Sequence, residues 1–446
     1  MLSLILVTII VANVFLWQFQ MNQVDWEKMQ EKVEILDVAS LTPAWYYLGF
    51  NYRVQHNITG STAGAQTGYQ ISITIVNGSG ISSGKVYYTT HINQSDFDDI
   101  RFTWYNTTSG QEQAIPYWRE AVYKGANATF WAKVPEIPAS PDSATIYVYY
   151  GNSTVPSASD IASTLDATYT KINIQYEWTE RASTTSVASG DDVGSWQNIT
   201  FDFPFWRDFK SRVYVCSNGF GIFDPTPATN DYSNTLVELK QRWMTAPFWD
   251  DLRTDRSGGL VSNAGIYVDR YADHMMITWE ATRYGAPADS IKFQTILYRN
   301  GDVRFNIDNA TNFSNFTPTL GISKGDNTNY IDVTGERNTQ KSWLFTLRKY
   351  IDPPPSHGPW GDEEAYQEAY QMRKTTFKIK NGGAVTVHIV SLWVNNATIH
   401  KRYDVDAYIN AGETLQYTRT DIILPEGKYI VKVVTERGNI AVYPKE

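Results

Sequence analysis

Phe293-Gln-Thr-Ile-Leu-Tyr-Arg-Asn-Gly-Asp-Val-Arg-Phe305 reads as two β-strands folded back on each other. Asn300-Gly301 supplies the positive-φ pair that a tight hairpin turn needs, and the flanking residues are the alternating β-branched and aromatic types that strands favour. Outward from it the same pattern recurs. Tyr69-Gln-Ile-Ser-Ile-Thr-Ile-Val76 alternates, and so does Ala144-Thr-Ile-Tyr-Val-Tyr-Tyr150. The expectation is a mainly β chain, with two or three β-sandwich domains following a long N-terminal apolar α-helix.

Five segments are predicted. Residues 1–40 form the apolar and then amphipathic helix, which Pro43 cannot continue. Residues 41–170 make a first β-sandwich, marked by Asp96-Phe-Asp-Asp-Ile-Arg-Phe102, Ile115-Pro-Tyr-Trp-Arg-Glu120, Ala128-Thr-Phe-Trp-Ala-Lys-Val-Pro135 and Tyr149-Tyr-Gly-Asn152. This ordered set resembles a domain family of uncharacterised function found in archaeal and bacterial surface proteins. Residues 171–350 make a second β domain with Phe201-Asp-Phe-Pro-Phe-Trp206, Val213-Tyr-Val-Cys-Ser-Asn-Gly-Phe220, Ala246-Pro-Phe-Trp-Asp-Asp-Leu252 and Ile277-Thr-Trp-Glu280. That set resembles the nidogen-type extracellular β domain of secreted adhesive proteins. Residues 351–373 read as a Pro-rich linker with a short charged helix, Asp362 to Met372. Residues 374–446, with Val385-Thr-Val-His-Ile-Val390 and Tyr429-Ile-Val-Lys-Val-Val434, resemble a small immunoglobulin-like module.

The N-terminus is the functional clue. Met1-Leu-Ser-Leu-Ile-Leu-Val-Thr-Ile-Ile-Val-Ala-Asn-Val-Phe-Leu-Trp17 has no charge, and the first charged residue is Asp25. As a helix, residues 2–21 would be about 30 Å long, the thickness of a bilayer core. A secretory signal peptide needs a basic n-region and a small-residue cleavage site, and neither is present. A single-span anchor fits the length but lacks the flanking basic residues that fix orientation. The third reading is a helix whose basic leader has been removed, with the mature chain starting at or near Met1. In that reading the run resembles the archaeal type IV pilin-like (class III signal peptide) filament subunits. The resemblance implies a filament core made of Leu2, Leu4, Ile5, Leu6, Ile9, Ile10, Asn13, Phe15, Leu16 and Trp17, with Asn13 bonded between helices. Ile5 stands where bacterial pilins carry a glutamate, so packing would rest on apolar contacts. Trp17, Met21 and Val24, then Trp26, Met29, Val33 and Leu36, form stripes at helical spacing, predicted to lie against the chain's own β domains.

Composition bounds the rest. With 446 residues, a net charge of −9 and no Lys/Arg cluster, nucleic acid is excluded as an expected partner. Cys216 is the only cysteine, so no intrachain disulfide forms, and its alternating apolar surroundings predict a buried small hydrophobe. Sequons at Asn57, Asn77, Asn93, Asn106, Asn127, Asn152, Asn198, Asn309, Asn312, Asn315 and Asn396 are candidate N-glycosylation sites, the 309–315 triplet lying in a polar loop.

No catalytic, cofactor-binding or metal residue is predicted. Asp98-Asp99 and Asp250-Asp251 are adjacent, and strand neighbours point to opposite faces, so turn capping is the better reading. A loop-held Ca²⁺ at Asp250-Asp251 stays open, without a spaced acidic run to support it. The histidines are scattered. Trp104-Tyr105, Tyr117-Trp118 and Trp178 are sugar-stacking candidates, with core packing the commoner role for a Trp in a β-sandwich. The expectation is a non-enzymatic subunit of an extracellular, cell-surface filament. It partners itself as a helical homopolymer, is inserted in the membrane before assembly, and displays glycosylated domains toward surface glycans or other cells. The alternative is a single-span membrane-anchored adhesin or carbohydrate-binding protein.

Overall fold

In the computed structural model, strands dominate, and the described residues are 8–18, 30–41, 45–223, 231–366, 374–422, 424–425 and 427–445. The chain divides into two units, Val54–Asp362 and a second made from both ends, Met1–Arg53 with Glu363–Glu446.

Among the described residues the long N-terminal helix is not found. The described helix covers residues 8–18 only, and Val33–Leu41, expected to end that helix, is a β-strand. Among the described residues no helix is long and apolar enough to cross a membrane. The strand misleads because it is bulged: Ile35 pairs with Ile379 and Asp37 with Lys378, so Leu36 is an extra residue. The buried positions Ile35 and Val38 therefore fall three apart, which imitates a helical stripe.

Val33–Leu41 runs antiparallel to Lys374–Asn381, which in turn pairs with Thr414–Arg419. A four-stranded sheet, His400–Ile409, Val387–Asn395, Tyr429–Thr435 and Ile440–Lys445 in that order, supplies the other half of the core. Ile35, Val38, Phe377, Ile379, Leu392 and Val431 meet there. This β-sandwich, expected to lie wholly within residues 374–446, thus takes one strand from Val33–Leu41.

Within Val54–Asp362 there are four sheets. The first pair comprises Val86–Thr89, Gln66–Asn77, Asn127–Ile137 and Tyr117–Tyr123, and, in the partner sheet, Ser356–Ala365, Tyr52–Thr59, Ser143–Tyr150, Arg101–Asn106 and Gln111–Ala114. The predicted alternation is realised: Ile71, Ile73 and Ile75 are buried on one face, as are Ile146 and Val148 opposite. Residues 356–365, expected as linker and helix, instead make the outermost strand of the five-stranded sheet. Pro359 is tolerated there because an edge strand has one row of N–H groups without ladder partners. Residues 367–373, the rest of the expected helix, lie outside the described residues.

The second pair joins a seven-stranded sheet, which contains the strands His274–Arg283, Ala286–Tyr298 and Val303–Ala310, to a six-stranded one that contains Gly194–Phe205, Asp208–Cys216 and Trp243–Trp249. The hairpin at Asn300-Gly301 forms, with Gly301 at φ +90° and Leu297 paired to Val303. Between the sheets Trp279, Trp343, Phe293, Phe305, Phe203 and Phe205 are fully buried. Trp279 stacks on Phe293 at 5.2 Å and donates its Nε1–H to the Cys216 carbonyl at 2.8 Å.

Candidate functional site

Residues 8–18 are helical, and every one of them is exposed. Ile9, Ile10, Val14, Phe15, Leu16 and Trp17 leave between 52% and 69% of their surface open. They occupy all sides of the helix rather than one stripe, a pattern that belongs to helices buried all round. Asn13 is the polar exception, and its Nδ2 donates to the Ile9 carbonyl one turn back, at 2.9 Å. Its amide therefore has a partner inside its own helix. Leu2, Leu4, Ile5 and Leu6, with Met21, Val24, Trp26 and Met29, lie outside the described residues.

The sequons divide by local geometry. At Asn106, Asn152 and Asn396 the side-chain oxygen accepts from the backbone N–H two residues on, at 2.9, 3.0 and 2.9 Å, closing an Asx turn. Asn93, Asn198 and Asn309 are exposed, while Asn77 and Asn127 sit half-buried at strand ends. Asn57 lies within a strand, its oxygen accepting from Gln55 and Thr145. Asn312 and Asn315 direct their amide nitrogens at the two oxygens of Asp289, at 2.7 and 2.9 Å.

The carboxylate pairs do structural work. Asp99 is buried and accepts from the backbone N–H groups of Asn93 and Gly151, while Asp98 pairs with Arg119. Asp250 accepts from the N–H groups of Asp251 and Thr317 at 2.9 and 2.7 Å. Burial first, then Asp191, Asp192 and Asp250 beside it, push the Asp251 carboxyl up. Among the described residues no group of three or more His, Cys, Asp or Glu is arranged to hold a metal ion. Cys216 is fully buried, and burial pushes its thiol up to about 12, far from nucleophilic range. Trp104 and Trp118 are core residues.

Sequence reasoning missed one polar cluster altogether. His56, fully buried, faces His357 across 2.9 Å and stacks on Trp360 at 3.8 Å, while Tyr87 and Tyr150 share a hydroxyl hydrogen bond beside them. Its members come from remote parts of the chain, so no local spacing announces them.

The aromatic core between the second pair of sheets coincides with a family match over residues 165–358. The second β domain is NIDO-related. Residues 96–213 match a domain of unknown function, DUF2341. The two matches share residues 165–213, and the fold assigns the strands Thr170–Ile174 and Gly194–Phe205 in that overlap to the NIDO-related sheets. No curated protein matches the chain.

Proposed function

We propose that this chain is a structural protein of the cell surface. Its N-terminal apolar segment is buried against the same segment of other copies as the core of a filament, and its β domains are displayed outward for adhesion. The carrying observation is the apolar circumference of helix 8–18, with Ile9, Ile10, Phe15, Leu16 and Trp17 all more than half exposed. Burying such side chains contributes on the order of 1 kcal/mol or more for each, enough in sum to drive association of many copies. The NIDO-related domain and the distributed sequons suit a displayed, extracellular body.

The same helix also supports a second reading, attachment of single copies to a lipid surface. Electron microscopy of material sheared from cells separates the two, with this chain identified by mass spectrometry. Filaments built of the chain are expected, and Ile9→Asp with Phe15→Asp should abolish them while leaving the β-sheet circular dichroism intact. Filaments that survive the double substitution, or a wild-type chain recovered only in detergent-extracted membranes, would overturn the filament reading.

A further inference from the structure

A cleft of about 380 Å³ opens in Val54–Asp362 where the strands Tyr117–Tyr123 and Asn127–Ile137 meet the hairpin turn at Arg299-Asn300. Its size lies in the range of small-ligand sites. Arg299 lines it. The backbone N–H of Arg299 is fixed on the Asp273 carbonyl at 2.8 Å, but the guanidinium has neither an ion pair nor a hydrogen bond among the described residues, and its Nε is shielded from solvent. Its ring neighbour is Phe201, 5.4 Å from the guanidinium carbon. By contrast the nearby Arg348 is paired with Asp302 and lies 4.0 Å over the Trp131 ring. The Nε is out of reach of a ligand as well, but the two terminal nitrogens are not shielded, and a ligand carboxylate is the partner whose geometry matches that pair of donors.

Lys85 lines the same cleft, exposed and likewise without a carboxylate partner among the described residues. Two carboxyl groups are also present. Asp273 is bonded to His274 at 2.8 Å and turns most of its side chain to solvent. Glu120 accepts from Trp131 Nε1 at 2.7 Å through one oxygen, and its other oxygen has no partner among the described residues. Burial pushes the Glu120 carboxyl up, against the pull of Trp131 and then of Arg348, Arg299 and Lys85. Its oxygen without a protein partner can accept from a ligand hydroxyl. Ser72 adds a hydroxyl, and the Tyr298 ring forms part of the wall. Unpaired cations, hydroxyl-matching groups and an aromatic wall together suit a sugar ring that carries negative charge.

We propose that this cleft binds an acidic saccharide, a pyranose with a carboxylate, its carboxylate on Arg299 and Lys85, its hydroxyls on Ser72 and Glu120, and its ring against Tyr298. The inference deepens the adhesive part of the reading above by naming a ligand class, and it does not need the filament.

Calorimetric titration of the full chain with the glucuronic acid–glucose disaccharide, and with its neutral counterpart cellobiose, tests it. The acidic sugar is expected to bind at least tenfold more tightly than cellobiose. Arg299→Gln, and independently the exposed Lys85→Gln, should each remove most of that preference while thermal unfolding stays where it was. Lys85→Gln keeps the test decisive if Arg299→Gln fails to fold. No binding, equal affinity for the two sugars, a preference that survives both substitutions, or sodium acetate binding as well as the acidic disaccharide would each overturn the proposal. Because titration is done on dispersed chain, a negative result here leaves the filament test untouched, and absent filaments leave this one untouched.

Discussion

His56 Nε2 and His357 Nδ1 face each other across 2.9 Å, so one ring must donate and the other accept. Two fully protonated rings would set N–H against N–H in a buried space. Burial, and secondly His357, lower His56 from its ordinary value to about 3. In the unfolded chain both rings titrate near 6.5. A group with a depressed folded pKa stabilises the fold above its unfolded pKa, so this contribution is complete above about pH 6.5 and fades as pH falls toward 3. The melting temperature should therefore decline between pH 7 and pH 5, and His56→Gln should flatten that decline. Imidazole proton shifts followed by NMR check the cause; a His56 ring titrating near 6.5 would contradict it.

Trp279 contributes both volume and a hydrogen bond. Its Nε1–H satisfies the buried Cys216 carbonyl between the NIDO-related sheets. Trp279→Phe keeps a ring and removes that hydrogen bond, while the Gly219 N–H still donates to the same carbonyl at 3.1 Å, so it should cost about 0.5–1.5 kcal/mol. Trp279→Ala adds a cavity and should cost about 3–5 kcal/mol. Urea unfolding of the two variants, read by the remaining tryptophans, should rank them in that order.

Glu31 has no exposed side-chain surface and accepts from Arg437, Thr435 and Asn439, each at 2.8 Å. Burial pushes its carboxyl up, but Arg437, Asn439 and Thr435 outweigh burial and hold it below the usual carboxylate value. Arg437→Met leaves a buried carboxylate without its cation and should cost on the order of 2–3 kcal/mol, lessened because Arg437 is partly exposed. Glu31→Gln should cost less, since the remaining arginine can turn to water. The Glu31 contribution is present above the unfolded pKa of about 4.3 and is lost as pH falls below it, so the two variants should converge with wild type in acid. Denaturant midpoints at pH 7 and pH 3 measure this.

Glycan occupancy should follow the local geometry of the sequons. Asn106, Asn152 and Asn396 sit in Asx turns, whereas Asn312 and Asn315 have their nitrogens on Asp289. Glycopeptide mass spectrometry of chain from its native host should find the turn sites occupied more fully than the Asp289 pair. Asp289→Ala should raise occupancy at Asn312 and Asn315.

The β architecture was legible where periodicity and turn chemistry agree. Asn300-Gly301 marked its hairpin because Gly301 readily takes the positive φ the turn requires, and the isoleucines of Tyr69–Val76 alternated because one face is core. Val33–Leu41 was misread because the bulge at Leu36 shifts a period of two into an apparent three. Ser356–Ala365 was misread because its prolines and glycines argue against a strand, and only the edge position reconciles them. The His56–His357 pair and the Arg299 cleft were illegible for another reason. Each joins residues far apart in sequence, and an unpaired charge has no one-dimensional signature.

The sandwich that holds Ile35 and Val38 closes only when Val33–Leu41 meets Lys374–Asn381, hundreds of residues later in the chain. During synthesis the early strand emerges long before its partner, and the bulk of the chain is translated in between. Until then Ile35 and Val38 lack the core partners Phe377, Ile379, Leu392 and Val431. The strand is hidden only after Lys374–Asn381 has been made, so every truncation before that point leaves its apolar face bare.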